Sequence, residues 1–255
     1  MNNRKQLAIL AVLVGIYAML AFLTYAIFPV EQLAPAQAGV PSATANIPPW
    51  LLGLANAGII IVLYGLLGLA GYWFAKKLGL PGVFRQGASW KEWLWQPLFI
   101  GLVLGLLVVL VDRGFAALRD WQGFPHPSFP FSIVASATAG IGEEILFRAF
   151  VLGLWAFLLN LVFRRWGMTG VALWIANFIA VLAFGAGHLP GVMVMLGVSS
   201  LASISPLVLG ELFLLNGVVG LVAGERYLKQ GLVAAVGVHF WTDIVWHVVW
   251  PLLNN

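Results

Sequence analysis

The chain has 255 residues, 62% of them hydrophobic and only 9% charged, whereas a soluble domain carries about 25% charged residues; what remains is a membrane domain with little soluble mass. Its net charge of +4 is divided among small basic clusters between apolar runs, which argues against a nucleic-acid surface and reads as a topology signal. There is no cysteine, so disulfides, thiolate zinc sites and thiol catalysis are excluded.

A helix needs roughly 20 apolar residues to cross the bilayer core. In chain order, runs of that kind lie at 7–28, 50–75, 94–111, 131–163, 167–187, 206–223 and from 231 to the C-terminus. The fourth is interrupted by Glu143, Glu144 and Arg148, and the sixth by Glu211. The predicted fold class is therefore all-α, a polytopic transmembrane helical bundle of seven to eight spans. The eighth would be 190–206, which is apolar but short and Ser-rich and reads equally as a re-entrant segment or a loop. Arg4-Lys5 ahead of the first run resembles a signal peptide, with Ala34-Pro35-Ala36 as a cleavage site. The run is longer than the signal core of about 7–15 residues, so an uncleaved first helix is expected. Residues 121–130 contain Pro125, Pro127 and Pro130, break helix, and read as a loop approaching the charged span.

Threading seven spans puts Arg4, Lys5, Lys76, Lys77, Arg85, Lys91, Arg164, Arg165, Arg226 and Lys229 on one side and Arg113 and Arg119 on the other. Basic residues favour the cytoplasmic side, which predicts a multi-pass protein of the cell membrane with its N-terminus in the cytoplasm. Trp50, Tyr72, Trp73, Trp95, Trp166 and Trp250 at run ends fit interfacial aromatic belts. Seven spans would set His188 and His239 at different depths, and an eighth would bring them to the same side.

Ionisable groups in hydrocarbon cost at least about 2.5–3.5 kcal/mol each, and so mark functional candidates. Glu144 and Arg148 are four residues apart, stacked on one helix face as an ion pair. That pairing lets both charges be tolerated in a dry setting. Glu143 points about 100° away, without that partner, and is left to face a polar cavity as a carboxylate suited to taking and returning a proton. His188 ends the fifth run, four residues after Phe184 and just before Pro190. His239 and Asp243 share one face of the last run at i and i+4, and His247 continues that face. A packing cluster is the bland reading of each constellation. Two histidines and three acids on three separate spans are harder to explain that way.

Glu143-Glu144-x-x-x-Arg148, Phe184-x-x-x-His188 and His239-x-x-x-Asp243, in that order, resemble the motifs of the CAAX-protease and bacteriocin-processing (CPBP, or Abi) family of intramembrane endopeptidases. The string Glu143-Glu144-Ile145-Leu146-Phe147-Arg148 is especially similar, and so is 220–226, read as a turn leading into the last motif. On this resemblance residues 1–130 are N-terminal spans outside the recognised region, and 131–255 are the catalytic part of a single integral membrane domain. It implies a site sunk in the bilayer that cleaves peptide bonds near a substrate C-terminus or beside a membrane segment. The implied partners are a membrane protein or lipidated peptide substrate and the bilayer itself, with no nucleic acid. Glu143 would activate water with His188, Glu144 and Arg148 would support the site, and His239 with Asp243 would complete it. The family more often has Asn at the last position. Asp is a poor oxyanion donor unless protonated, but a good metal ligand or histidine orienter. Two mechanisms follow. In one, His188, His239 and Asp243 hold Zn²⁺ and Glu143 takes the proton of its bound water. In the other, no metal is used and His239 stabilises the oxyanion. The His-Glu-x-x-His pattern of the common zincins is absent.

Two other classes compete. A rhomboid-type serine protease would use Ser199 or Ser200 with His239 and leave the glutamates idle. A proton-coupled transporter would use Glu211 in a relay, and members of the resembled family also act as non-enzymatic scaffolds or immunity proteins.

Overall fold

The computed structural model describes residues 3–27, 47–118 and 124–254. The candidate cleavage site at Ala34–Ala36, Arg119 and the start of the 121–130 segment lie outside them. Helix α1 (Asn3–Ile27) packs along α2 (Pro49–Leu78). A π-helical turn, Lys91–Trp95, runs into α3 (Gln96–Ala116). The fourth span is one 36-residue rod made of α4 (Phe131–Glu143), a π-helical stretch Glu144–Leu152 and α5 (Gly153–Phe163), closed by a 3₁₀ turn. Then come α6 (Thr169–Gly187), the short α7 (Leu189–Leu196), α8 (Pro206–Gln230) and α9 (Leu232–Asp243). The last passes through a π-helical stretch, Ile244–Val249, into α10 (Trp250–Asn254). Among the described residues there is no strand, and seven helices are long and apolar enough to cross a membrane.

Three expectations change. The 190–206 segment supplies no eighth span; it folds as α7 followed by a 3₁₀ turn, Leu201–Ser203, because Gly197 takes a left-handed φ of 65° and ends the helix after eight residues. Residues 220–226 are not a turn but the interior of α8, and the chain reverses only at Gly231, φ 96°. The missing side chain of Gly220 leaves room there for the Arg148 guanidinium, whose Nη2 would lie 3.0 Å from a Cβ. Tyr72 is buried rather than in the interfacial belt, its hydroxyl bonding Asn3 Oδ1 at 2.8 Å, whereas Trp50, Trp73, Trp95 and Trp166 are exposed as expected.

The outer faces of α2 and α3 remain apolar and exposed, with Leu66, Phe99 and Leu110 each more than 60% accessible. That is what a lipid-facing surface requires, since tails solvate such side chains as well as a protein core does. Inside, small residues set the spacing. A Cβ on Gly140 would lie 3.2 Å from the backbone of Phe240, so α4 and α9 approach backbone to backbone there. This contact brings the next turn of the fourth span beside His239.

One end of the bundle is tied by backbone hydrogen bonds. The buried Gln6 amide accepts from Val83 N (2.8 Å) and donates to Phe84 O (2.8 Å). In the same knot Arg85 N donates to Gln230 O and Leu232 N to Gly82 O. The start of α1, the segment after α2, the end of α8 and the start of α9 therefore meet at this end.

Candidate active site

Five spans contribute to a cavity of about 510 Å³, lined by Glu143, His188, His239, Asp243, Asn216 and His247 among mostly apolar neighbours. The first motif sits at the junction where α4 gives way to π-helix. Such wide turns are rare and recur at functional sites. The 100° rotation assumed for an α-helix therefore does not hold beyond Glu143, although Glu144 and Arg148 still lie on one face. The Arg148 Nε is 3.2 Å from Glu144 Oε2, both side chains 0% exposed. Arg148 Cζ also stands 4.5 Å from the centre of the Phe184 ring, so the second motif covers the cation of the first. Glu144 Oε1 takes a 2.8 Å hydrogen bond from His239 Nδ1. A carboxylate can only accept, which places the ring proton on Nδ1.

The other nitrogen of His239 faces outward to the cavity acids. Its Nε2 is 3.7 Å from Glu143 Oε2 and 3.6 Å from Asp243 Oδ2. The Glu143 side chain keeps 32% of its surface accessible while that of Glu144 keeps none. The two adjacent glutamates are thus split as the sequence suggests, one anchored in a buried ion pair and one open to the cavity.

His188 approaches from a different helix. Its Nδ1 lies 2.9 Å from Phe184 O; a carbonyl oxygen accepts only, so Nδ1 carries the proton and Nε2 is left with its lone pair. The Phe184 ring stands edge-on to both histidines, with centroids 4.9 Å from His188 and 5.6 Å from His239. The expected separation in depth with seven spans does not occur, because α6 ends at His188 against this shared ring and both histidines reach the same cavity.

Several predicted residues stay outside it. Ser199 and Ser200 are exposed, and Ser200 Oγ is used to cap the following turn by accepting from Ala202 N. Glu211 is fully buried and is not among the residues that line the cavity, although Leu212 beside it is. Among the described residues no three His, Asp or Glu side chains are set to ligate one ion. His188, His239 and Asp243 as placed do not fit a zinc centre, which needs three protein ligands around one point.

Sequence reasoning passed over four residues. Asn216 lines the cavity, with its Nδ2 bonded to Leu212 O at 2.8 Å. A lone Asn in an apolar run was the available signal. Trp246 lines the wall between α3 and α8. His126, in the loop before α4, joins His247 through an Nδ1···Nδ1 contact of 3.0 Å and stacks edge-on to Trp246 at 5.7 Å. Asp112, buried near the end of α3, acts on His126 through its charge.

That loop contact is sensitive to pH. Burial pushes the His126 imidazole below its ordinary value, against the opposing pull of Asp112. A histidine depressed in the folded state contributes its stability above the unfolded value of about 6.5 and loses it as pH falls through the folded value. The bond to His247 also needs a lone pair on one ring, which a second proton removes. The thermal midpoint should fall on acidification below about pH 6.5, and His126→Gln should flatten that dependence. An identical slope in the variant would show that His126 does not carry it.

Residues 125–245 fit the family model described as type II CAAX prenyl endopeptidase, Rce1-like. No curated protein and no solved structure matches the chain.

Proposed function

Because residues 125–245 match the Rce1-like model of type II CAAX prenyl endopeptidases, we propose that the chain is an intramembrane endopeptidase acting on membrane-associated or C-terminally lipidated, CAAX-like substrates. The observation that carries the reading is that Glu143 and His188, from separate spans, face one cavity whose remaining walls are largely apolar. An apolar chamber admits a lipidated or membrane-embedded segment, and its few polar groups are the ones a hydrolysis requires.

In this reading a water molecule sits between the Glu143 carboxylate and the Nε2 lone pair of His188. Glu143 takes its proton as the oxygen attacks the scissile carbonyl carbon, and the carbonyl π pair moves to oxygen. Collapse of the tetrahedral species breaks the C–N bond, and Glu143 returns the proton to the leaving amine. His239, fixed through Nδ1 by Glu144, presents Nε2 toward the reacting group. Arg148, paired with Glu144, holds it in place. Asp243 stands 3.6 Å from the same His239 nitrogen and adds a second carboxylate beside it. In this reading Glu143 and His188 act on the water without a metal.

The test is cleavage of a quenched-fluorescent farnesylated peptide ending in a CAAX box by purified protein in detergent. Cleavage that persists in a strong chelator is the expected result. Loss in chelator with recovery on added Zn²⁺ would replace the metal-free mechanism with a metallopeptidase. No cleavage, together with a proton flux that depends on Glu211 and is indifferent to Glu143, would sink the protease assignment in favour of a proton relay.

A further inference from the structure

The two ends of this bundle differ in charge, and the cavity belongs to only one of them. Near the knot formed by Gln6, Val83, Phe84 and Gln230 lie Arg4 and Lys5 at the start of α1, and Lys76 and Lys77 in the last turn of α2. Arg85 and Lys91 follow α2, and Arg226 and Lys229 end α8. Arg164 and Arg165 close the fourth span, which runs alongside α2 with Phe157 5.2 Å from Trp73.

The opposite end is defined by equally direct contacts. His126 meets His247 at 3.0 Å, Arg113 at the end of α3 stands 6.0 Å from the Trp250 ring, and Phe124 packs on Val192, Ile204 and Val208. Every non-helical residue that lines the cavity comes from this second end. Phe124 and Pro125 belong to the loop before α4, and His188 marks the bend into α7, whose Met195 forms part of the wall. Arg113 is the one basic residue named at this end among the described residues. The bias of Lys and Arg toward the cytoplasmic side sets the orientation of multi-pass proteins, and here it points the basic knot into the cytoplasm.

From this opposition we infer that the cavity opens to the non-cytoplasmic face of the membrane and takes its substrates from there. The inference rests on the proposed protease reading for what happens in the cavity, and it narrows the substrate class. The site would act on membrane-tethered peptide chains whose scissile segment has already crossed the bilayer. A lipidated C-terminus made in the cytoplasm would reach it only after translocation.

The absence of cysteine makes the test direct, because every introduced thiol is unique. Gln86→Cys and Ala88→Cys mark the basic end, Ser128→Cys and Ser199→Cys the opposite end, and Met195→Cys the cavity wall. Each is expressed in a bacterial host and treated with a membrane-impermeant maleimide, as intact spheroplasts and after permeabilisation. Labelling of Ser128→Cys, Ser199→Cys and Met195→Cys in intact spheroplasts, with Gln86→Cys and Ala88→Cys labelled only after permeabilisation, is the expected result. The reverse pattern would overturn the orientation. Labelling at positions 128 and 199 but not 195 would overturn the outward opening of the cavity. The two positions at each end guard against a variant that fails to fold. Since labelling requires no activity, it can fail while cleavage in detergent succeeds, or succeed while cleavage fails, so the two readings fall separately.

Discussion

Glu143→Gln is expected to lower kcat/KM on the farnesylated peptide by about 10³-fold, within the range of 10²–10⁴ for loss of a general base, while the thermal midpoint stays near that of the wild type. Gln keeps the volume and the hydrogen-bonding reach of the side chain but cannot take a proton. The fold has little to lose at this position. Glu143 is partly accessible, and its nearest charged neighbour, His239 Nε2, is 3.7 Å away, beyond a hydrogen bond. The neighbouring glutamate behaves oppositely, because its carboxylate already accepts from His239 Nδ1 and pairs with Arg148. Steady-state kinetics beside a thermal melt separates the two roles: a folded Glu143→Gln enzyme with unchanged kcat/KM would remove Glu143 as the base, and a lowered midpoint would show that the fold depends on this carboxylate.

Arg148→Met is expected to destabilise the protein by about 3–5 kcal/mol, the usual cost of removing one partner from a buried ion pair. Both side chains are fully buried, so the Glu144 charge cannot turn to solvent when its cation is removed. The substitution also takes away the guanidinium stacked against Phe184. If loss of charge balance is the main cause, Glu144→Gln in the same chain should recover part of the stability, because two neutral groups replace an uncompensated charge. Unfolding in mixed micelles as a function of denaturing detergent measures both variants. Equal stability of Arg148→Met and wild type would mean that water reaches Glu144, and no recovery in the double variant would assign the loss to packing. Activity should follow stability here, since Arg148 acts through Glu144 and does not line the cavity.

The class of fold is legible in composition alone, because a chain that is 62% hydrophobic and 9% charged has only lipid to solvate runs of some 20 apolar residues, and in lipid the backbone satisfies itself by forming helices. The Glu144–Arg148 and His239–Asp243 pairs are legible in the spacing, since both are local i, i+4 relations that any helical turn brings together. The different fates of Glu143 and Glu144 were legible for the same reason: adjacent residues on a helix cannot share a face.

Contacts that cross between spans come from packing and are not written in local spacing. That His239 gives its Nδ1 proton to Glu144, 95 residues earlier, depends on the bare backbone of Gly140 letting α4 come to Phe240. No helical periodicity encodes that approach. That two histidines at apparently unequal depths reach one cavity depends on where α6 ends and on the Phe184 ring between them. The 190–206 segment is as apolar as a short span, and only the left-handed turn at Gly197 shows that it stops after eight residues. Asn216, Trp246 and His126 remained unnoticed because each is a single polar or aromatic residue in an unremarkable stretch, and it gains meaning only from the side chains that other helices bring beside it. Local spacing fixes which residues share a face of one helix; the packing of small residues between helices fixes which faces meet, and the site is made of meetings.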